Sequence, residues 1–312
     1  MNVEKKERLT PLLDAPLIEL IQKANNIREK YFREGLELCN IINAKSGQCT
    51  QDCKFCAQSL KNCAQADIYS LKNKKEIVEA ARKAKQIGAE KFGIVTSGNC
   101  LAPKELDEVK EAILQITKEI DISVCASLGA LDKEQLFILK QAGLKRYHHN
   151  IETSPRFYKQ IVTTHGFEQR IKTIKAAKEA GLEVCSGGII GMGENWQDRI
   201  DMACILKELD VDSVPINILV PIKGTPLQDT KPISSQDVIR TIAIFRIILE
   251  DKIIKIAAGR ESALADFQGL GFMAGANGML IGGYLTVKGR SLEQDYKLIE
   301  EIERLWKESK SS

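Results

Sequence analysis

The sequence predicts an α/β fold: a (β/α)8 barrel of the TIM type behind an N-terminal helical extension. Three observations predict it. Short apolar runs alternate along the chain with longer stretches whose apolar residues recur at helical spacing. Eight such strand–helix pairs occupy about 270 residues, the count and span of a closed barrel. An open doubly wound sheet is the alternative, but eight regular units fit closure better than an open sheet of that width.

The elements follow in order. Residues 12–35 read as the helical lead-in, with Leu17, Ile18, Ile21, Ala24 and Ile27 at helical spacing. The first strand is LELCNII at 36–42, and a helix over 74–87 carries Ile77, Ala80, Ala81 and Ala84 on one face. Strand 91–96 precedes helix 103–119, strand 122–128 precedes helix 133–142, and strand 146–151 precedes helix 168–180. Strand 182–188 leads to helix 196–208, and strand 213–219 to helix 235–249. Strand 253–259 is followed by a short helix at 261–268, and the eighth strand, 278–285, by a last helix at 291–308. The expected organisation is an extension over 1–35 and one barrel domain over 36–312, with loose tails near 1–10 and 309–312.

Composition narrows the function classes. The chain has 312 residues, 45 Lys and Arg against 42 Asp and Glu, and 44% hydrophobic and 28% charged residues. These values exclude disorder and fibre. A net charge of +3 with no basic stripe, and aromatics at 5%, argue against nucleic-acid binding. No apolar run reaches the roughly 18 residues that span a bilayer. The charged segment Met1 to Pro11 lacks a signal-peptide core, so the expected location is cytoplasmic, with no membrane partner. In a reducing compartment nine cysteines, an odd number, are not read as disulfides.

The strongest chemical signal is C-T-Q-D-C-K-F-C, holding Cys49, Cys53 and Cys56. It lies in the loop after the first strand, at the face where barrel enzymes carry their chemistry. Three thiolates at this spacing wrap one cubane cluster and leave its fourth iron open. A structural zinc site needs four closed ligands, and Cys63 offers a fourth, so zinc stays as the alternative.

With Phe55 just before the last cysteine, the motif resembles the radical S-adenosylmethionine (SAM) enzymes. The segments NAKSGQCTQDCKFCAQS, YHHNIETSPRFY, VTTHGFEQRIKTI, EVCSGGIIGMGE, SVPINILVPIKGTPL and FMAGANGML further resemble the biotin synthases, from about residue 9 to residue 290. The resemblance implies a [4Fe-4S] cluster whose open iron chelates SAM, and a 5′-deoxyadenosyl radical formed on one-electron reduction. It implies insertion of sulfur into dethiobiotin, with two SAM consumed per product. It also implies a flavodoxin or ferredoxin as electron donor, and often a homodimer.

Residue by residue, the resemblance assigns Gly187, Gly191 and Glu194 of GGIIGMGE to SAM, although such a turn is also an ordinary strand-to-helix connection. It assigns Asn150 to ribose and substrate, and Glu152 to the ribose hydroxyls, where the family usually carries aspartate. Arg170 matches an arginine near the SAM carboxylate; without the family it reads as a surface charge. Asn217, a carboxamide with a donor and an acceptor, matches the ureido ring of dethiobiotin. Thr286 resembles the region that receives the substrate carboxylate, and Lys288 replaces a lost hydroxyl there with charge. His148, His149 and His165 have no metal spacing and read as packing or polar contacts.

One departure stands out. The family's second cluster, a two-iron sulfide, has three cysteines and an arginine as ligands. Two of those cysteines align with Cys125 and Cys185, but the third falls at Gly93 and the arginine at Lys255, with Arg260 later in the segment. Cys39 is gained in the first strand, where a small hydroxyl residue is usual. Cys39, Cys125, Cys185 and Lys255 fall on strands one, three, five and seven, and alternate strands share one interior layer. The expectation is an auxiliary four-iron cluster on Cys39, Cys125 and Cys185, with Cys63, Cys100 and Lys255 as further candidate ligands. Cys204, in a helix of apolar period, reads as core. The rivals are another radical SAM barrel, of hydrogenase-maturase or methylornithine-synthase type, and a non-catalytic iron–sulfur or zinc protein.

Overall fold

Parallel strands close on themselves in the computed structural model, which describes residues 11–32, 35–283 and 289–308. The strands are β1 (Glu37–Lys45), β2 (Lys91–Thr96), β3 (Ser123–Ser127), β4 (Arg146–His148), β5 (Glu183–Cys185), β6 (Gly188–Ile190), β7 (Ser213–Ile218), β8 (Ile253–Ile256) and β9 (Gly278–Leu280). Their order is β5-β4-β3-β2-β1-β9-β8-β7-β6, and a β5–β7 pairing at Cys185 and Ser213 closes the ring. The expected barrel is therefore present, its fifth stave being β5 and β6 together.

The split between β5 and β6 corrects the continuous strand expected over 182–188. Its cause lies on the neighbouring stave. Pro215 in β7 has no N–H to give to a ladder, so regular pairing stops at Cys185–Ser213 and resumes at Gly188–Ile216. Gly187 crosses this gap so tightly that a Cβ there would stand 2.0 Å from the Pro215 carbonyl oxygen.

The helices owe their positions to local capping. Lys74–Gln86 starts from a reciprocal capping box of Asn73 and Glu76, and Trp196–Glu208 from Asn195 and Asp198. Ser234 caps Ser235–Leu249. One helix, Pro155–Ile161, was not expected. At seven residues it is too short to show a period, but Ser154 caps it and Pro155 opens it. The expected helix at 261–268 is broken into Arg260–Leu264, a 3-10 turn Ala265–Phe267 and Gln268–Met273, with Ala265 at a left-handed φ of 45°.

The lead-in resolves into Pro11–Asp14 and Leu17–Tyr31, and the latter buries Leu20 and Ala24 in the barrel's own core. Arg240 ties it down by donating to the carbonyls of Leu12, Leu13 and Ala15. At the other end Leu292–Glu308 is held by a buried ion pair, Arg260 to Asp295 at 2.7 Å. Both side chains are at most 2% exposed. Asp295→Ala takes the nearer carboxylate from a buried guanidinium, and is expected to cost about 3–5 kcal/mol in denaturant unfolding. Retention of the parental midpoint counts against that.

Candidate functional site

A cavity of about 290 Å³ enters the barrel from the end where the strands finish. Cys49 and Cys53 line it, and so do Cys39, Cys185 and Lys255. Strand β1 joins the two sets: Cys39 lies inside it and Cys49 in the loop beyond Lys45. The six steps from Cys39 to Lys45 alone cover about 20 Å at strand rise. The two cysteine groups thus occupy different depths of one cavity.

The upper group sits in a loop fixed by its own backbone. Cys56 N–H donates to the Cys53 carbonyl at 3.0 Å, and Asn62 Nδ2 donates to the carbonyls of Cys53 and Cys56. Lys54 N–H reaches Ile161 O at 3.0 Å, while the Asp52 carboxylate accepts from Thr163 and Thr164. The unexpected helix at 155–161 is therefore the loop's anchor. Phe55 packs on the small apolar cluster of Phe157, Tyr158, Ile161, Val162 and Met192. Burial pushes the Cys53 thiol up to about 12 and raises that of Cys56. Thiols in this setting ionise when a metal supplies the compensating charge, so the donor set fits iron.

Below the loop, Arg170 is no surface charge. Its Nε donates to Tyr158 Oη at 2.7 Å and its Nη1 to the Asn150 carbonyl at 2.9 Å; Nη2 lies 3.0 Å from His165 Nε2. It also pairs with Glu152 at 3.6 Å. Glu152 holds a left-handed φ of 68°, a strained state for a non-glycine residue that is typical of functional sites. Burial pushes its carboxyl up against the opposing pull of Arg170. Asn150 Oδ1 accepts from Gly187 N–H at 3.2 Å. Asn150, Glu152 and Arg170 all line the cavity.

The glycine turn carries its own internal brace. Both carboxylate oxygens of Glu194 accept backbone N–H groups, from Gly191 and Met192 at 2.8 Å each, and Arg199 pairs with it at 2.8 Å. The Glu194 side chain is 1% exposed. It braces the turn from within, and Gly191 turns at a φ of 89°. Gly187 serves the close strand approach described above. None of the three lines the cavity.

The lower group converges as the odd-strand layer requires. Lys255 Nζ donates to Cys39 Sγ at 3.0 Å, and Cys125, fully buried, is close enough that a Cys39 thiolate would raise it. Burial is the larger cause, pushing Cys125 up to about 12. Beneath them lies a charge cluster that sequence reasoning missed. Glu37 accepts from Arg146 through both oxygens, at 2.6 and 3.2 Å, and pairs with Lys255 at 2.7 Å. Against the upward push of burial, these cations hold the Glu37 carboxyl down at about 2. Lys255, expected as a candidate iron ligand, is thus engaged as an ammonium between Glu37 and Cys39. His148 also faces this region, and burial, then Lys255 and Arg146, push its imidazole down to about 3, leaving it neutral. The signal for the cluster was present: a glutamate opens β1 and an arginine opens β4.

Asn217 lines the cavity with Nδ2 donating to Gly188 O and Oδ1 accepting from Ala258 N–H, both at 3.3 Å. Cys63 and Cys100 are exposed and do not line the cavity, which leaves them outside both thiol groups. Cys204 is buried in the core. Thr286 and Lys288 lie outside the described residues. Among the described residues no three His, Cys, Asp or Glu side chains stand close enough to clasp a single ion. A multi-iron cluster holds its thiolates around its own bulk, so its ligands stand further apart.

Comparison with known proteins places the chain in a family. Residues 43–204 match the Radical SAM superfamily and residues 215–304 the Biotin and Thiamin Synthesis associated domain. The biotin synthase of Thermotoga petrophila is 52% identical over 299 residues, covering 96% of this chain and 99% of that protein. That of Clostridium perfringens strain 13 is 47% identical, covering 93% and 91%. Among solved structures, methylornithine synthase aligns with a TM-score of 0.79 at 21% identity over 95% of this chain and 91% of its own. The FeFe-hydrogenase maturase of Carboxydothermus hydrogenoformans aligns at 0.77 and 20% identity, over 96% and 78%. These two share the fold, but neither approaches the sequence identity that the biotin synthases have with this chain. The chain belongs to the biotin synthase family of the Radical SAM superfamily.

Proposed function

We propose that this biotin synthase takes the sulfur it inserts into dethiobiotin from an auxiliary four-iron cluster on Cys39, Cys125 and Cys185. The observation that carries the reading is the single cavity lined at one depth by Cys49 and Cys53 and at another by Cys39 and Cys185. A cluster on Cys49, Cys53 and Cys56 supplies, with SAM bound, the radical that removes hydrogen from an unactivated carbon. The chain's own residues do the rest. Arg170, fixed by Tyr158 and Asn150, offers its charge to the SAM carboxylate, and Glu152 and Asn150 offer acceptors to the ribose. Asn217, two staves on from β4, offers a donor and an acceptor to the ureido ring. The buried walls keep water from the reacting carbons.

The auxiliary thiols sit under the substrate position, on a floor whose cations, Arg146, Lys255 and the more distant Lys91, outnumber the Glu37 and Glu183 carboxylates. That balance favours an anionic cluster. A flavodoxin or ferredoxin supplies electrons, the chain works as a homodimer, and it works in the cytoplasm. Among the described residues no helix is long and apolar enough to cross a membrane.

The test is anaerobic reconstitution followed by turnover with SAM, reductant and dethiobiotin, alongside iron and sulfide counts. Biotin formation with about eight irons per chain supports the reading, as two four-iron clusters require. Formation of 5′-deoxyadenosine without biotin overturns the sulfur-insertion reading, and about six irons overturns the four-iron auxiliary cluster.

A further inference from the structure

We propose that His148 is the fourth protein donor to the auxiliary cluster, binding iron through Nε2. The proposal rests on the auxiliary-cluster reading above and adds a ligand that the cysteine pattern does not contain.

Three observations converge on this side chain. First, its Nε2 is buried and has no hydrogen-bond partner. Buried ring nitrogens are nearly always satisfied, and one left bare calls for a partner from outside the chain. Second, His148 lines the same cavity as Cys39, Cys185 and Lys255. It stands in direct register with Cys185 across β4 and β5, one stave from Cys125 on β3. An imidazole there shares one face of the barrel wall with the Cys185 thiol. Third, the His148 ring stands beside Gly93 of β2. A Cβ built on Gly93 would stand 3.0 Å from Ile41 Cγ2 and 3.9 Å from His148 Cε1. With no side chain at 93, that flank of the imidazole is left open. The chain has a glycine at the first place and a nitrogen donor at the second.

The other candidate for the fourth position, Lys255, is already taken. Its ammonium bridges Glu37 at 2.7 Å and Cys39 at 3.0 Å, and coordination would require it to give up a proton beside that carboxylate. Cys63 and Cys100 are exposed. His148 has no ion pair to give up. With its proton on Nδ1, the Nε2 lone pair forms the bond to iron, and no electron is transferred and no group leaves.

The test uses the full-length chain with Cys49, Cys53 and Cys56 all replaced by alanine, loaded anaerobically with ferrous iron and sulfide, so that only the auxiliary site reports. The reduced cluster is examined by pulsed EPR with natural-abundance and ¹⁵N-histidine protein. A strong coupling to a directly bound imidazole nitrogen, shifted by the label and lost in His148→Gln, is the expected result. His148→Cys should keep the iron count and move the reduction potential downward, because thiolate in place of imidazole stabilises the oxidised cluster. A cluster that forms without imidazole coupling, or whose coupling persists in His148→Gln, overturns the assignment of His148 alone. A chain that takes up no iron overturns the auxiliary-site reading and this inference with it. The isotope comparison involves no substitution at His148, so it stands even where the glutamine variant folds poorly.

Discussion

Cys53→Ala is expected to stop both 5′-deoxyadenosine and biotin formation, a loss of at least roughly 10³-fold, or about 4 kcal/mol of barrier. The reason is the arithmetic of the loop. Three thiolates hold three irons and leave one for SAM, and Cys53 is the most enclosed of the three, buried against the cavity wall with its carbonyl fixed by Cys56 and Asn62. Its removal takes a ligand from the centre of the loop while the hydrogen bonds that shape the loop, which use backbone atoms, persist. The fold should therefore hold, and the lost activity should track lost iron. Cys63→Ala is the informative companion. A closed four-thiolate zinc site would lose its metal with either substitution; an iron site on Cys49, Cys53 and Cys56 loses it with Cys53→Ala and keeps it with Cys63→Ala. Equal metal loss in both would sink the assignment.

Much of this arrangement was legible before the structure, and for identifiable reasons. The helices Pro103–Glu119, Trp196–Glu208 and Ser235–Leu249 fall where their periods and start signals put them, because capping and amphipathic spacing are local properties. The placing of Cys39, Cys125 and Cys185 on alternate staves was legible too, since a closed barrel leaves little choice about which staves share a layer. What escaped notice was non-local. The break between β5 and β6 is dictated by a proline on β7, and nothing within 182–188 announces it. Glu37 and Arg146 are 109 positions apart, and each alone is an awkward charge in an apolar strand. Only their meeting explains why either is tolerated.

The resemblance was sound for the family and looser for single residues. Glu194 matches a SAM-contacting position, yet here its carboxylate is consumed by two amides and Arg199. Arg170, which reads on its own as a helix-surface charge, is instead held by Tyr158, Asn150 and Glu152 at the cavity wall. Motif matching transfers positions; it does not report what a side chain already holds. Hydrogen-bond accounting supplies that, because a buried carboxylate with both oxygens engaged has little left for a ligand.

Cys39→Ala should separate the two halves of the chemistry. The substitution removes one sulfur from a buried position, 3% exposed, at a packing cost of about 1 kcal/mol, too little to unfold a barrel of this size. The loop bearing Cys49, Cys53 and Cys56 lies beyond the end of β1 and keeps its own hydrogen bonds, so SAM cleavage should continue. Biotin formation should fall at least about 100-fold, equivalent to about 2.7 kcal/mol, because the sulfur source is lost while the hydrogen-abstracting centre is intact. Iron should drop from about eight to about four per chain, and SAM consumed per biotin should rise by the same factor of at least about 100. The same substitution frees Lys255 from its sulfur partner but leaves it paired with Glu37, so the charged floor survives. A variant that kept both its iron and its biotin output would show that Cys39 is only a small core residue. The odd-strand layer would then need another thiol to complete it, and neither exposed cysteine, Cys63 or Cys100, is on a strand to provide one.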